Sequence, residues 1–322
     1  MNNKILISIV ICTYRRPDYI IRVLDSLVAQ KLQNDVKFEV ILVENDLSPS
    51  NLIKKITEPY SDKLPLRVEF VSPPNLSIAR NFGGHISRGD YIAYLDDDTV
   101  ASPYWLENLN IGIKQCSPDV FCGPIFPLLN KPKPKWFNEE FELANQFGNE
   151  DCKLSKGIYL VGANFGITKT IFDLVGGFSP KLGMKSDTLG YGEETLFVRK
   201  AWELKNNLNV VYFHDVSVLH EIRSQKLKLT FYLKSAFIHA RDSAKIQSPN
   251  LKKSRYFTRF VLYITLLFLT SFLFIGSYIM SSIFSNDENK SKIVSKYFKE
   301  ITSYIYSIVL NWYFLVSNNN LI

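Results

Sequence analysis

Cysteine is scarce in this chain and shows no pairing pattern. The 322 residues contain 4 cysteines, at positions 12, 116, 122 and 152, without the spacing of a zinc site or a disulfide framework. Reduced thiols in a cytoplasmic protein are the simplest interpretation. The first apolar run, Ile5–Cys12, is short and is followed by Arg15 and Arg16, so it predicts a buried strand and no signal peptide. We find no internal repeat.

Charged residues are also few, at 21%, whereas hydrophobic residues make up 46%, which excludes a disordered protein. The formal net charge is nevertheless +7. Such a surplus serves solubility or attracts a polyanion or an anionic lipid surface. The position of the charge along the chain decides between these uses.

Short apolar runs alternate with helical patterns in the first two-thirds of the chain. The runs that predict strands are Ile5–Cys12, Phe38–Val43, Arg67–Val71, Tyr91–Leu95, Gly157–Thr168 and Val210–Leu219. The stretches that predict helices are Pro17–Gln30, Pro49–Thr57, Ser77–Ser87, a helix ending at Gly176-Gly177, and Glu193–Lys205. This alternation predicts an α/β fold with a mostly parallel sheet flanked by helices. The proline-rich segment 123–151 breaks the pattern and predicts a long loop or insert.

Ligands of such sheets collect at the carboxyl ends of the strands. Asp96, Asp97 and Asp98 directly follow the run Tyr91–Leu95. Three adjacent carboxylates repel each other unless a positive charge compensates them. Mn²⁺ or Mg²⁺, which bridge carboxylates to phosphates, would supply that charge. A solvated acidic loop is the alternative.

Other polar groups occupy equivalent positions after the strands or at helix starts. Thr13–Arg16 joins a strand to a helix and favours phosphate binding, and Arg80 is a second candidate for contact with a diphosphate. Glu44 follows the second strand, where it suits a base or ribose. Each of these also fits an ordinary surface or turn residue.

Two further positions carry candidates for catalysis. Glu193 and Glu194 open a helix, where carboxylates cap the dipole or act as a general base. His220 ends a predicted strand, and it is a metal ligand if it lies near the acidic triplet and a structural histidine if it does not.

The C-terminal quarter changes character and predicts association with a membrane. Five basic residues without an intervening acidic one precede an uncharged run, 260–284, that is long enough to span a bilayer; they are Lys245, Lys252, Lys253, Arg255 and Arg259. A buried core helix is the alternative. The basic flank predicts that the preceding domain lies in the cytoplasm. An anionic lipid surface, rather than nucleic acid, is then the expected partner of the surplus positive charge. A second run, 301–317, either crosses the membrane again or lies in its interface.

In their order along the chain these motifs resemble glycosyltransferase family 2, whose members have the GT-A fold. The matching segments are SIVICTYRRP (8–17), VILVENDLS (40–48), NLSIARNFGGHISRGDYIAYLDDDT (75–99), SPYWL (102–106), GANFGITKTIFDLVGGF (162–178), GYGEETLFVRKAW (190–202) and VLHEI (218–222). The resemblance covers about residues 5–245. It therefore predicts a catalytic domain over 1–245 and a basic, membrane-associated tail over 246–322.

The resemblance implies a role for each matching position. The residues expected to bind the nucleotide-sugar are Thr13, Tyr14, Arg16, Glu44, Arg80, Asp96 and Asp97. Asp96, Asp98 and His220 would hold Mn²⁺ or Mg²⁺, and Asn164 and Trp105 would border the acceptor. Glu194 matches the catalytic base, beside Glu193. Here the base is Glu where the family usually has Asp, and Glu44-Asn45 stands where the family has an Asp-Asp or Asp-Asn pair.

The sequence thus predicts a membrane-associated, inverting glycosyltransferase of bacterial type, with a UDP-linked donor and a saccharide or lipid-linked acceptor. One alternative is a sugar-nucleotide nucleotidyltransferase, although CTYRRP is not the glycine-rich loop that such enzymes carry after the first strand. The other is a catalytically silent membrane adaptor, against which the carboxylates at 96, 98 and 194 argue. The sequence leaves the oligomeric state open.

Overall fold

The computed structural model describes residues 5–33, 36–134, 136–247, 252–284 and 287–316, without the side chains of 280–291. These residues divide into two compact units. The sheet unit comprises the described residues up to Leu128, Glu142–Thr188 and Glu193–Glu221. The helical unit comprises Leu129–Phe141, Leu189–Gly192 and the described residues from Ile222 onward. Apart from its two short segments, the helical unit thus begins at Ile222, and the domain boundary at 245 stays a prediction.

Four parallel strands form one half of an eight-stranded sheet. They are β1 (Leu6–Thr13), β2 (Lys37–Asn45), β3 (Leu66–Val71) and β4 (Tyr91–Asp96), in the spatial order β3-β2-β1-β4. The helices that connect them are α1 (Pro17–Val28), α2 (Asn51–Thr57) and α3 (Leu76–Ile86). Strand β1 is mostly apolar because both of its faces are covered: Ile9 packs in one core and Val10 in the other.

The other half of the sheet is mixed. Its strands are β9 (Asn164–Thr168), β6 (Val120–Cys122), β10 (Val210–Tyr212) and β8 (Cys152–Lys153), and β9 runs antiparallel to both β4 and β6. The helices of this half are α4 (Trp105–Cys116), α5 (Lys169–Val175) and α6 (Glu193–Leu204). The predicted strand Gly157–Thr168 forms only over its last part, and α4 was not predicted.

The prediction of one strand over Val210–Leu219 was wrong. The chain turns after β10, where the amide of Val216 donates to the carbonyl of Phe213 at 3.2 Å. The last part becomes β11 (Val218–Glu221), the centre of a second sheet between β5 (Thr99–Ala101) and β7 (Ile125–Leu128). In this sheet His220 lies opposite Thr99. The segment 123–151, predicted as a loop, thus contributes a strand and a short 3-10 turn at Glu139–Phe141.

The helical unit contains α7 (Leu229–Ile246), α8 (Lys253–Phe284) and α9 (Asp287–Val316). Helices α8 and α9 form an antiparallel pair: the rings of Tyr256 and Phe314 lie 4.9 Å apart and those of Phe274 and Tyr297 lie 5.8 Å apart. Within the described residues, one helix segment, Lys253–Ile279, is long and apolar enough to cross a membrane. The predicted second run, 301–317, lies in α9 up to Val316, and residue 317 is outside the described residues.

Candidate active site

The acidic triplet forms a tight turn between β4 and β5. Thr99 closes this turn by donating its hydroxyl to the carbonyl of Asp96 at 2.7 Å. Asp97 and Asp98 are buried, with 2% and 3% of their surfaces exposed, whereas Asp96 is half-buried. The triplet is therefore not a solvated acidic loop.

Asp96, Asp98 and His220 meet at this turn. One ligand atom from each lies within 4.8 Å of the others, and His220 Nε2 is 3.0 Å from Asp98 Oδ1. The backbone holds this arrangement, because the amide of Glu221 donates to the carbonyl of Asp98 at 2.9 Å. Two carboxylate oxygens and one imidazole nitrogen suit a divalent cation such as Mn²⁺, and the carboxylates suit Mg²⁺. The residues present thus fit the ion that the sequence predicted.

Asp97 is held by residues that follow or end β1. It accepts a hydrogen bond from Thr13 Oγ1 at 2.8 Å and one from Arg16 Nη1 at 3.1 Å. Burial, followed by the charge of Asp98, raises the pKa of Asp97 above its usual range, while Arg16 and Thr13 oppose the rise. Thr13 and Arg16 are therefore at the site, where they join β1 to the acidic turn.

The remaining residues predicted to bind a nucleotide lie at the ends of β1 and β2. Tyr14 is half-buried under the Arg15 guanidinium, 5.0 Å from its ring centre. Arg15 has a positive φ of 55° and pairs with Asp46 at 2.7 Å. Glu44 is buried and accepts the amide of Ser50 at 2.9 Å, and burial raises the pKa of this carboxyl. Nucleotide contact by Tyr14 and Glu44 stays a prediction.

Arg80 on α3 connects the acidic turn to the start of α6. Its guanidinium donates from Nη2 to Asp96 at 3.1 Å, and from Nη1 to Glu193 at 3.1 Å and to Glu194 at 2.7 Å. Only 2% of Arg80 is exposed. Burial opposes its charge, but the three carboxylates outweigh burial and raise the pKa of Arg80 above its usual range. Arg80 therefore stays charged and compensates the acidic site.

The two adjacent glutamates have different environments. Burial, followed by the charge of Glu194, raises the pKa of Glu193 to about 8, although Arg80 opposes the rise. The Glu194 side chain is more accessible, with 13% of its surface exposed against 4% for Glu193. The buried Glu193 carboxyl therefore holds its proton more tightly than an ordinary glutamic acid does, and Glu194 is the more accessible of the two side chains.

Glycine backbone lies against each glutamate. A Cβ atom on Gly162 would lie 2.0 Å from Glu194 Oε1 and 2.7 Å from Arg80 Nη2. Gly183, with φ of +77°, takes the same position beside Glu193, where a Cβ would lie 2.8 Å from the carboxyl carbon. Sequence reasoning included Gly162 in the GANF motif but assigned it no role.

Asn164 and Trp105, predicted on the acceptor side, lie in the interior. Trp105 Nε1 donates to Asn164 Oδ1 at 3.0 Å, and both residues are 1% exposed. The Asn164 amide donates to the carbonyls of Val216 and Pro124 at 2.7 and 3.3 Å, which ties β9 to the chain around β7 and β11. Contact of Asn164 and Trp105 with an acceptor stays a prediction; in this structure the two side chains are buried and bond to each other.

Comparison with known proteins identifies the sheet unit. The family model described as glycosyl transferase family 2 matches residues 8–176. The succinoglycan biosynthesis protein ExoM of Rhizobium meliloti (strain 1021) is 33% identical over 137 residues, or 42% of this chain and 43% of that protein. The match thus spans less than half of that relative's length. The glucosyl-dolichyl phosphate glucuronosyltransferase of Haloferax volcanii is 25% identical over 227 residues, which cover 67% of this chain and 69% of that protein.

Solved structures share the fold. S. aureus TarS 1–349 in complex with UDP-GlcNAc matches with a TM-score of 0.52 at 14% identity, over 90% of this chain and 91% of that one. The complex of the same protein with UDP matches with a TM-score of 0.51 at 19% identity, over 77% and 68%. At these identities the likeness shows the fold alone.

Proposed function

This chain belongs to glycosyltransferase family 2, and we propose that it is a metal-dependent, inverting glycosyltransferase. It would move a sugar from a nucleoside diphosphate sugar to a saccharide or lipid-linked acceptor during the synthesis of a surface glycan. One observation carries this proposal. Arg80 joins the Asp96–Asp98–His220 cluster to Glu194, so a cation site and a base occupy one carboxyl edge of the sheet.

Asp96, Asp98 and His220 are the residues that would hold the metal ion. A bound divalent ion supplies positive charge against the charge that develops on the diphosphate as the sugar departs. The protein's own contribution is to keep the ligand atoms together before the ion binds. The β5–β11 pairing does this by fixing His220 opposite Thr99.

Glu194 is the proposed base. It removes the proton from the acceptor hydroxyl while that oxygen bonds to the anomeric carbon and the bond from this carbon to the diphosphate breaks. The nucleoside diphosphate leaves with the bonding electrons. One displacement of this kind inverts the anomeric configuration and needs no second nucleophilic carboxylate, by the geometric reasoning that applies to glycosidases. Glu193, protonated near neutral pH, would support Glu194 without competing for the proton.

UDP is the proposed nucleotide. The residues proposed to contact the donor are Thr13, Tyr14, Arg16, Glu44, Asp96 and Asp97. TarS, which shares this fold, binds UDP and UDP-GlcNAc in its solved complexes, and we base the proposal of a uridine donor on that protein. The family relatives of this chain include a glucuronosyltransferase, which supports a transfer reaction over the nucleotidyl transfer that was the sequence-based alternative.

A donor panel tests this function. The full chain in detergent would be incubated with Mn²⁺ and UDP-, GDP- and dTDP-sugars, and the release of free nucleoside diphosphate measured with and without membrane extract as acceptor source. We expect release with at least one UDP-sugar and stimulation by extract. Release of pyrophosphate, or of no nucleotide product from any donor, would count against a glycosyltransferase.

A substitution at Gly162 tests the position assigned to the base. Gly162→Ala places a methyl group where the Glu194 carboxylate lies, so we expect the base to shift and kcat to fall by about 100-fold, the order of loss for a displacement of about 1 Å. Steady-state kinetics with the donor found in the panel measures this. Gly276→Ala is the matched control, since a Cβ there meets no atom within 4 Å. Equal kcat values in the two variants would contradict the assigned place of the base.

We further propose that the tail holds the protein in a membrane with the sheet unit on the cytoplasmic side. Lys253–Ile279 is the segment proposed to span, and Phe268 and Phe272 on its surface are 73% and 75% exposed. Lys253, Arg255 and Arg259 lie at the end proposed to face the cytoplasm. A membrane position would bring the enzyme to a lipid-linked acceptor.

Membrane extraction gives a second prediction. We expect the parent protein to stay in the pellet after washing with high salt and with alkaline carbonate. The double variant Phe268→Arg, Phe272→Arg places two charges near the centre of the span, and each raises the free energy of membrane insertion by roughly 2.5–3.5 kcal/mol. We therefore expect this variant in the soluble or aggregated fraction. Leu204→Arg, at an exposed position of α6, is the control that should stay in the pellet. Complete release of the parent protein by salt would refute spanning.

A further inference from the structure

Arg80 forms ion pairs with three acidic residues through two of its three guanidinium nitrogens. Its two terminal nitrogens reach three acidic residues at 2.7–3.1 Å, and the ring of Phe178 lies 5.8 Å from the guanidinium carbon. The hydroxyl of Tyr94 donates to the Arg80 carbonyl at 3.3 Å. The residue is thus fixed at both its backbone and its head group, and 3% of its side chain is exposed.

This position differs from that of a typical phosphate-binding arginine. Such an arginine presents free donors to the ligand, often two in parallel. Arg80 instead donates hydrogen bonds from Nη1 to Glu193 and Glu194 and from Nη2 to Asp96. Binding of a diphosphate through Nη1 would require its bonds to Glu193 and Glu194 to break, and 3% of the Arg80 side chain is exposed.

The geometry also defines where Glu194 lies. Its Oε1 is held between Arg80 Nη1, at 2.7 Å, and the backbone at Gly162, where no Cβ fits. The same guanidinium binds Asp96, one of the three cluster residues that would hold the metal. A single side chain thereby sets the separation between the base and the metal-binding carboxylates.

We infer that Arg80 is a positioning residue, which orients Glu194 towards the acceptor hydroxyl and keeps it in register with Asp96, rather than a binding residue for the donor diphosphate. This inference rests on the proposed function. Its consequence is specific: loss of Arg80 affects the rate of transfer and leaves the affinity for the nucleotide in place. A residue that binds diphosphate has the opposite signature, since its loss weakens nucleotide binding.

The test compares Arg80→Gln and Arg80→Lys with the parent protein and with Arg199→Gln, a half-buried arginine of α6 paired with Glu203. For each full-length protein, kcat and KM are measured with the donor from the panel, the Kd of UDP with Mn²⁺ by calorimetry, and the melting temperature by scanning fluorimetry. We expect kcat to fall by about 100-fold in Arg80→Gln with the Kd of UDP within about threefold of the parent value. Arg80→Lys keeps the positive charge but loses the planar geometry of the guanidinium, so its kcat should lie between that of Arg80→Gln and that of the parent protein. Arg199→Gln should match the parent.

A double variant separates positioning from general damage to the fold. Because Arg80 acts through Glu194, adding Arg80→Gln to Glu194→Gln should lower kcat little beyond Glu194→Gln alone. Additive losses, or a Kd of UDP raised more than about tenfold in Arg80→Lys, would overturn the inference. If Arg80→Gln does not fold, Arg80→Lys and its double variant carry the same comparison. An inactive parent protein would instead refute the proposed function, so the two failures are distinguishable.

Discussion

Glu194→Gln is expected to lower kcat for sugar transfer by about 10³-fold, within the range of roughly 10²–10⁴ that a general base contributes. The amide oxygen can still accept the bond from Arg80 Nη1, so the site should keep its shape. What the variant loses is the ability to take the proton from the acceptor. Affinity for UDP should therefore remain, and kcat should carry the whole effect.

Glu193→Gln is the matched comparison for this prediction. Burial and the charge of Glu194 raise the pKa of Glu193 to about 8, so near neutral pH its carboxyl is already mostly protonated and resembles the neutral amide. We expect its kcat to fall by no more than about tenfold. A larger loss in Glu193→Gln than in Glu194→Gln would reverse the roles that we assign to the two residues.

Asp98→Asn is expected to abolish most of the metal-dependent activity. The side chain is buried beside His220 at 3.0 Å, so the amide keeps the volume while the site loses a negative ligand. A metal that stabilises the leaving diphosphate supplies several kcal/mol, and about 3–4 kcal/mol corresponds to a loss of roughly 10²–10³ in rate.

Two measurements check the effect of Asp98→Asn independently. Titration of Mn²⁺ into chelator-treated protein gives the metal dependence of turnover, and electron paramagnetic resonance counts bound Mn²⁺ without any donor. Asp173→Asn, whose exposed carboxylate pairs with Lys169 on α5, is the control expected to behave as the parent. Tight Mn²⁺ binding by Asp98→Asn equal to that of the parent would remove Asp98 from the cluster.

The fold and family were largely predictable because local sequence signals agree with them. Strands β1, β2 and β4 are covered on both faces and are therefore mostly apolar, and the polar residues at their ends mark the edge of the sheet. The ordered motifs added the family, and the family match and the shared fold confirm that part of the prediction.

Other features could not be read locally. The predicted strand Val210–Leu219 divides into two strands because its two parts join different sheets. β-branched residues are equally compatible with either sheet, so the sequence does not mark the division. The prediction that His220 lies near the acidic triplet came from the resemblance, whereas its cause is a pairing between β11 and β5 that are distant in sequence.

Side-chain partners were the hardest to foresee. The resemblance implied that Asn164 and Trp105 border the acceptor, and in the structure their polar groups bond to each other in the interior. Arg80 was read as a surface arginine or a diphosphate contact. Only the three-dimensional structure brings Asp96 and Glu194, which lie far apart along the chain, to the same guanidinium.

We propose that Glu194 and the Asp96–Asp98–His220 cluster together transfer a sugar from a nucleotide donor. The decisive experiment measures the appearance of glycosylated acceptor from a radiolabelled UDP-sugar and membrane extract, with parent protein, with Glu194→Gln, and with parent protein plus chelator. We predict labelled acceptor with the parent alone, and recovery of labelling when Mn²⁺ is added back to the chelated sample. Equal labelling in all three samples, or none in the parent with any sugar nucleotide, would contradict the claim.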